Sequence, residues 1–344
     1  WMMYIVVEDI DTSRRHCEEL GGKLLTPVKD MGGQGRYCVI QDPAGAVAAN
    51  AGDPQPGAEG LEISVPYVTN RLQINEEAGS TAYGGGRGTP GFGRCTVQFE
   101  PIPIITALAP QVPFYVPAER KTLRVERQDD AAAFWDSLTA AVTATATPSV
   151  VVFVHGYNYG FERSCKAAAA LQRAVRGRAT VLLFSWPSNA QPTDYLVDQA
   201  DVEWSVPLLS EVLQRLGDRV GPSRVQVLAH SLGTRGVMMA LDYLAAADDQ
   251  RPLIGPLVLI ASDVDAATFA DRLPRLRSLT TSITLYASSN DAPLKASRAL
   301  HGAPRLGEAG EREADEVRKA PLDPGSIGVG GWSAMFPSHE ILSL

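Results

Sequence analysis

The pentapeptide Ala229-His230-Ser231-Leu232-Gly233 stands between an apolar, β-rich run, RVQVLAH, and a strongly apolar run with helical spacing, LGTRGVMMALDYLAAA. A serine hydroxyl is a weak nucleophile until a neighbouring base takes its proton. It can be presented on a tight strand-to-helix turn, which requires small residues two positions before and two after it so that strand and helix do not collide. Ala229 and Gly233 meet that requirement. Such a bend lifts the Ser231 hydroxyl above the carboxyl edge of a sheet and beside the free N–H groups of a helix start, where negative charge is favoured. The Leu232 N–H is then one donor to an oxyanion. The plainer alternative is a serine that only caps the helix.

A second oxyanion donor is expected from a loop after an earlier strand. His155-Gly156-Tyr157-Asn158-Tyr159 follows the buried-strand pattern SVVVFV. A glycine there lets backbone approach a substrate oxygen, with the Tyr157 N–H, or that of Gly156, as donor. The alternative is a plain glycine turn. The base must be a histidine held by an acid. Of the five histidines, His16 falls on an N-terminal helix pattern, and His155 and His230 belong to the two turns. His339, in AMFPSHEILSL, and His301, after PLKASRAL, remain. An order of nucleophile, acid, base favours His339. Asp291 directly follows the strand pattern SITLYASSN and is the favoured acid. Asp263, after PLVLIASD, is the alternative, with helix capping as its plainer role. Together these residues would perform two-step acyl transfer through an acyl-serine, with no metal or organic cofactor. His155, Gly156, Asn158, Tyr159, Trp186 and His230 are candidate substrate contacts, and the aromatic residues Tyr157, Tyr159, Phe161, Trp186, Tyr195 and Trp204 cluster in the loops after the first two core strands, where they line an acyl or alcohol pocket or pack the helices. For Phe161 and Trp204, packing is the expected role.

The elements that must position these residues can be read from periodicity. From Pro148 onward, short apolar runs alternate with helical runs: SVVVFV, ATVLLFSW, RVQVLAH, PLVLIASD and SITLYASS are the strands. Strands apolar nearly throughout, separated by helices, predict a doubly wound, mostly parallel sheet covered on both faces. The helices include FERSCKAAAALQRAVR, one around VEWSVPLLSEVLQRL, and AATFADRLPRLRSL. Residues 1–50 read as a compact strand–helix–three-strand unit with strands MMYIVVED, KLLTPV, RYCVIQD and GAVAAN. Residues 51–60, AGDPQPGAEG, read as a linker, and residues 61–344 as the larger domain. The GGGRG of residues 84–88 sits in a stretch that reads as loop and is weak evidence for phosphate binding.

Composition removes several classes of function. Among 344 residues, 31 Lys and Arg against 39 Asp and Glu give a net charge of −8, which disfavours nucleic acid and anionic membrane surfaces as partners. No apolar run reaches the roughly 18–20 residues of a membrane span. The N-terminal stretch lacks a basic lead, so no signal peptide is expected. Four scattered cysteines, with no close pair, suit a reducing cytoplasm and form neither a disulfide framework nor, with the histidines, a zinc site.

The motifs VPYVTNR, AYGGGRG, FGRCTV, VVVFVHGYN, FSWPS, VEWSVP, AHSLG, LIASDVD and SSNDAPLKASRALHG occur in that order. Residues from about 62 to 344 thereby resemble a bacterial α/β-hydrolase group catalogued as a domain of unknown function, some of whose members act as carboxylesterases. The resemblance implies an α/β-hydrolase fold and serine esterase chemistry on small to medium acyl esters. It also implies Ser231 as nucleophile, Asp291 as acid and His339 as base. Residues 1–50 are similar to the second βαβββ half of a vicinal oxygen chelate protein, the glyoxalase and bleomycin-resistance superfamily. Such proteins close a cup from two or more modules. This sequence carries one, and GAVAAN holds no carboxylate where family enzymes often place a metal-binding Glu. No glyoxalase-type metal site is expected; the module reads as a remnant, as a pairing surface for a second chain or as the end of a longer fused protein, and its exposed sheet edge favours dimerisation.

Overall fold

The computed structural model describes residues 4–7, 10–19, 23–30, 36–41, 47–52, 61–75, 81–101, 119–145, 147–191, 193–246, 252–288, 292–308, 328–332 and 339–343. They fall into two units, one within residues 1–61, 100–120 and 328–341, the other within 62–99, 121–327 and 342–344.

In the first unit, β1 (Tyr4–Val7) is followed by α1 (Ile10–Glu19), β2 (Lys23–Leu24), β3 (Lys29–Asp30), β4 (Arg36–Gln41) and β5 (Val47–Gly52). The sheet order is β1-β5-β4-β2, with β3 also on β4. β1 runs parallel to β5, and the other pairs are antiparallel. KLLTPV, expected as one strand, is strand only at Lys23–Leu24; a bend at Leu25 and Thr26 follows, Pro27 has no N–H to give a ladder, and strand resumes beyond the motif at Lys29. Two further strands, β14 (Gly328–Trp332) and β15 (His339–Ser343), stand near the C-terminus.

The second unit is built on eight strands in the order β13-β12-β11-β9-β10-β6-β7-β8. They are β6 (Leu61–Asn75), β7 (Thr81–Pro101), β8 (Glu119–Gln128), β9 (Val150–Val154), β10 (Thr180–Ser185), β11 (Val225–His230), β12 (Ile254–Ile260) and β13 (Thr280–Ser288). The pairs from β6 to β10, β9, β11, β12 and β13 are all parallel. The helices are α2 (Ala131–Thr143), α3 (Phe161–Val175), α4 (Tyr195–Trp204), α5 (Val206–Val220), α6 (Gly233–Ala245), α7 (Ala266–Leu279) and α8 (Ala292–His301).

Side-chain alternation explains why the strands are apolar throughout. Val150, Val152 and Val154 of β9 and Leu182 and Phe184 of β10 enter one core with α2, α5, α6 and α7. Val151, Phe153, Val181 and Leu183 enter a second core with α3 and Tyr67, Cys95 and Val97 of the neighbouring strands. Successive residues point to opposite faces, so a sheet covered on both sides needs both sets apolar.

Two expectations are corrected. The glycine-rich stretch around residues 84–93 is part of the 21-residue strand β7 and is not a loop. The glycines serve close strand packing: a Cβ on Gly88 would come 2.5 Å from the Arg71 carbonyl oxygen, and one on Gly93 would collide with the Glu126 carbonyl. Replacing Gly88 with Ala is therefore expected to cost about 1–3 kcal/mol in urea denaturation, since backbone cannot yield cheaply. An unchanged midpoint would refute that packing. The single helix expected around VEWSVPLLSEVLQRL is two, broken at Ser205, with Pro207 in the first turn of α5.

No helix among the described residues is long and apolar enough to cross a membrane.

Candidate active site

β9 and β11 are neighbours, yet the chain leaves β9 towards β10 on one side and β11 leads to β12 on the other. Connections that diverge at adjacent strand ends open a crevice at their carboxyl edge. The His155–Tyr159 loop follows β9 and Ser231 follows β11, so both lie at that edge.

Ser231 has φ of +49°, the left-handed region that a residue with a Cβ enters only at a cost. Its N–H donates to the Ile260 carbonyl at 2.8 Å, and its carbonyl accepts from the Thr234 N–H at 3.0 Å and the Thr234 hydroxyl at 2.6 Å. These bonds hold the bend. The residue preceding α6 is Leu232, and no side-chain capping bond is made there, so Ser231 is not a helix cap. Gly233 is required, because a Cβ there would collide with the His155 carbonyl oxygen. Gly156 is required from the other side: its Cβ would come 2.5 Å from His230 Nδ1 and 2.8 Å from Ser231 Cβ. The His-Gly loop thus presses directly on the serine turn.

The loop itself is tied down group by group. The Asn158 N–H donates to Asp198 Oδ2 at 3.2 Å, the Tyr159 N–H to Ser188 Oγ at 3.1 Å, and Arg163 Nη1 to the Asn158 carbonyl at 3.2 Å. Asn158 has φ of +60°, which asparagine tolerates better than most residues. Asp198, fully buried, also accepts from Ser188 Oγ at 2.5 Å and the Asn189 N–H at 3.1 Å. Burial raises its carboxyl above the usual range, and these bonds work against that rise. Among the described residues, the Tyr157 and Leu232 N–H groups have no hydrogen-bond acceptor. The site can therefore present a serine hydroxyl beside two backbone donors, which is what acyl transfer demands.

A second cluster surrounds Asp263. Its Oδ2 accepts from the Tyr195 hydroxyl at 2.6 Å and its Oδ1 from Ser297 Oγ at 2.6 Å, with Arg305 Nε 3.7 Å from Oδ1. Burial, and then the Asp263 charge, push the Tyr195 phenol well above its ordinary range. His301 ends α8 with its ring nitrogens against the Ser297 carbonyl at 2.9 Å and Gln199 Oε1 at 3.1 Å.

Residues 130–327, more than half of the chain, match the family described as Alpha/beta hydrolase of unknown function (DUF900). The chain belongs to this family. No curated protein matches this hydrolase. Among solved structures, a crystal structure of puromycin hydrolase is similar at 14% identity and a TM-score of 0.25, over 87% of this chain and 36% of that one. The chain thus spans about a third of that protein.

The α/β-hydrolase fold brings Ser231, His230, Leu232, His155, Gly156, Tyr157, Asn158 and Tyr159 to one sheet edge. Asp291 lies outside the described residues, and His339 is described only as backbone at the start of β15. Several expected roles change. His155 and Trp186 are fully buried, with Trp186 Nε1 donating to the His155 carbonyl at 2.8 Å; they support the loop from beneath. Asp265, not Asp263, caps α7, accepting from the Thr268 N–H at 2.7 Å. Trp204, expected to pack, is 40% exposed beneath the Arg87 guanidinium, while Phe161 is buried as expected. Tyr195 belongs to the first turn of α4 and not to a loop. Sequence reasoning missed Arg71, Asp198 and Ser188. The one available signal for Arg71 was a lone charge closing the apolar strand pattern SVPYVTNR.

Proposed function

We propose that this hydrolase is a serine carboxylesterase for small to medium acyl esters. Ser231 attacks the ester carbonyl, and His339, oriented by Asp291, takes its proton and returns it to the leaving alcohol. The Tyr157 and Leu232 N–H groups receive the oxyanion, and water releases the acid from the acyl-serine. The observation that carries this reading is the left-handed Ser231 turn, with Gly156 against it and two backbone N–H groups nearby that have no acceptor among the described residues. Asp291 is preferred over Asp263 because it follows the strand run at the chain position expected of a triad acid, while Asp263 is held among the Tyr195 and Ser297 hydroxyls and Arg305.

The test is a panel of p-nitrophenyl acetate, butyrate and longer esters beside a matched thioester and anilide, with fluorophosphonate labelling mapped by mass spectrometry. Ester turnover and a label on Ser231 are expected. A preference for thioester, anilide or long acyl chains replaces the carboxylesterase reading with thioesterase, amidase or lipase. Failure of both turnover and labelling leaves a ligand-binding protein and ends the proposal.

Residues 1–50 are proposed as half of a vicinal oxygen chelate module whose partner half comes from a second copy of the chain. A strictly monomeric species in light scattering at micromolar concentration would refute the pairing.

A further inference from the structure

We propose that Arg71 and His155 are positioning residues that fix the orientation of the Gly156–Tyr157 peptide, and with it the Tyr157 N–H. The inference rests on the reading of that N–H as an oxyanion donor.

Arg71, on β6, is buried with five N–H donors and no capacity to accept. All five find acceptors on the strand ends around the site. Nε donates to Ser185 Oγ at 2.9 Å, and Nη1 to the carbonyls of Ser188 at 2.9 Å and Gly84 at 3.3 Å. Nη2 donates to the Tyr159 carbonyl at 2.6 Å and faces His155 Nε2 at 3.2 Å. Burial pulls the guanidinium down to about 9, opposed by the charge of Asp198, which leaves it cationic at neutral pH.

A donor-only group at Nε2 decides the histidine tautomer. Nε2 must offer its lone pair, so the proton sits on Nδ1, 2.9 Å from the Gly156 carbonyl oxygen, to which it donates. Ser185 Oγ faces the same Nε2 at 3.4 Å. The plane of the ring is held by stacking on Tyr159 at 5.6 Å and on Trp186 at 4.8 Å. Burial first, then the charge of Arg71, with His230 adding in the same direction, holds the imidazole well below its ordinary pKa and therefore neutral.

The peptide geometry carries the consequence. The peptide bond is trans, so the C=O of Gly156 and the N–H of Tyr157 point in opposite directions. With the carbonyl tied to a buried ring, the N–H is turned away from that ring. A donor to the carbonyl also polarises the same amide and makes its N–H the stronger hydrogen-bond donor. Arg71 thus acts through His155, 84 positions away in sequence, on a backbone group.

The test uses full-length protein carrying nitrogen-15 histidine and long-range proton–nitrogen spectra. In the wild type, the His155 signals, assigned by their loss in His155→Phe, are expected to show protonated Nδ1 and bare Nε2 between about pH 5 and 8. In Arg71→Met that tautomer is expected to be lost, and in Arg71→Lys to be retained in part. An Nε2–H tautomer, an imidazolium in that range, or an unchanged pattern in Arg71→Met overturns the proposal. His155→Phe, which keeps the stacking, is also expected to lower kcat about tenfold to a hundredfold, with KM within about twofold. A kcat equal to wild type in that variant, with circular dichroism showing it folded, overturns it too. A wild type with the expected tautomer and no turnover of any ester instead sinks the esterase reading and leaves the pinned peptide standing.

Discussion

Ser231→Ala is expected to lower kcat for p-nitrophenyl butyrate by about ten-thousandfold or more and to abolish fluorophosphonate labelling. Loss of a nucleophile removes the covalent route and leaves only what the oxyanion donors and binding can do for attack by water. The same substitution is expected to leave stability within about 0.5 kcal/mol, because the bonds of the turn run through the Ser231 backbone and none caps α6 through its hydroxyl. Ser231→Gly is expected to be more stable than wild type by a few tenths of a kcal/mol to about 1 kcal/mol, since φ of +49° costs glycine nothing. Strain that a turn retains although one substitution would relieve it is strain held for the hydroxyl. Wild-type turnover in Ser231→Ala would refute the nucleophile. A large stability loss in either variant would refute the account of the bend.

Asp263→Ala is expected to destabilise the fold by about 3–5 kcal/mol in urea denaturation. Asp263 and Arg305 are both 3% exposed, and the carboxylate is the anion facing that guanidinium. Its removal leaves a buried cation, and it deprives the Tyr195 and Ser297 hydroxyls of the acceptor each reaches at 2.6 Å. Asp263→Asn separates this role from that of a triad acid. Loss of a triad acid lowers kcat about ten-thousandfold while geometry survives. Loss of a structural anion lowers stability and leaves kcat at temperatures below unfolding within about tenfold. The second pattern is expected, and a full loss of kcat in a stably folded Asp263→Asn would transfer the acid role to Asp263 from Asp291.

These contrasts show where sequence reading is strong. Strand and helix alternation after Pro148 is legible because each element declares itself by local periodicity, and the two buried faces of β9 and β10 require the unbroken apolar runs. The turn at Ser231 is legible for a similar reason: Ala229, Gly233 and the flanking runs are all local, and steric need acts over two residues. The misreading of β7 has the opposite cause. Glycine marks loops by its freedom, but at Gly88 and Gly93 it is selected by backbone from other strands, which no window around residue 88 contains. The start of helix α4 was hidden in the same way, because Asp198 looks like a surface residue until Ser188 and the Asn158 and Asn189 N–H groups are in place around it.

The sequence by itself determined the alternation of strands and helices after Pro148, the family and the tight strand-to-helix bend at Ser231, because apolar periodicity and tight-turn sterics are short-range. Only the tertiary structure decided that His155 faces inward against Arg71 and that Asp263 meets Tyr195, Ser297 and Arg305. Hydrogen-bond partners of buried polar groups are chosen by burial, when water is no longer available to satisfy them, and burial joins positions that the chain keeps far apart.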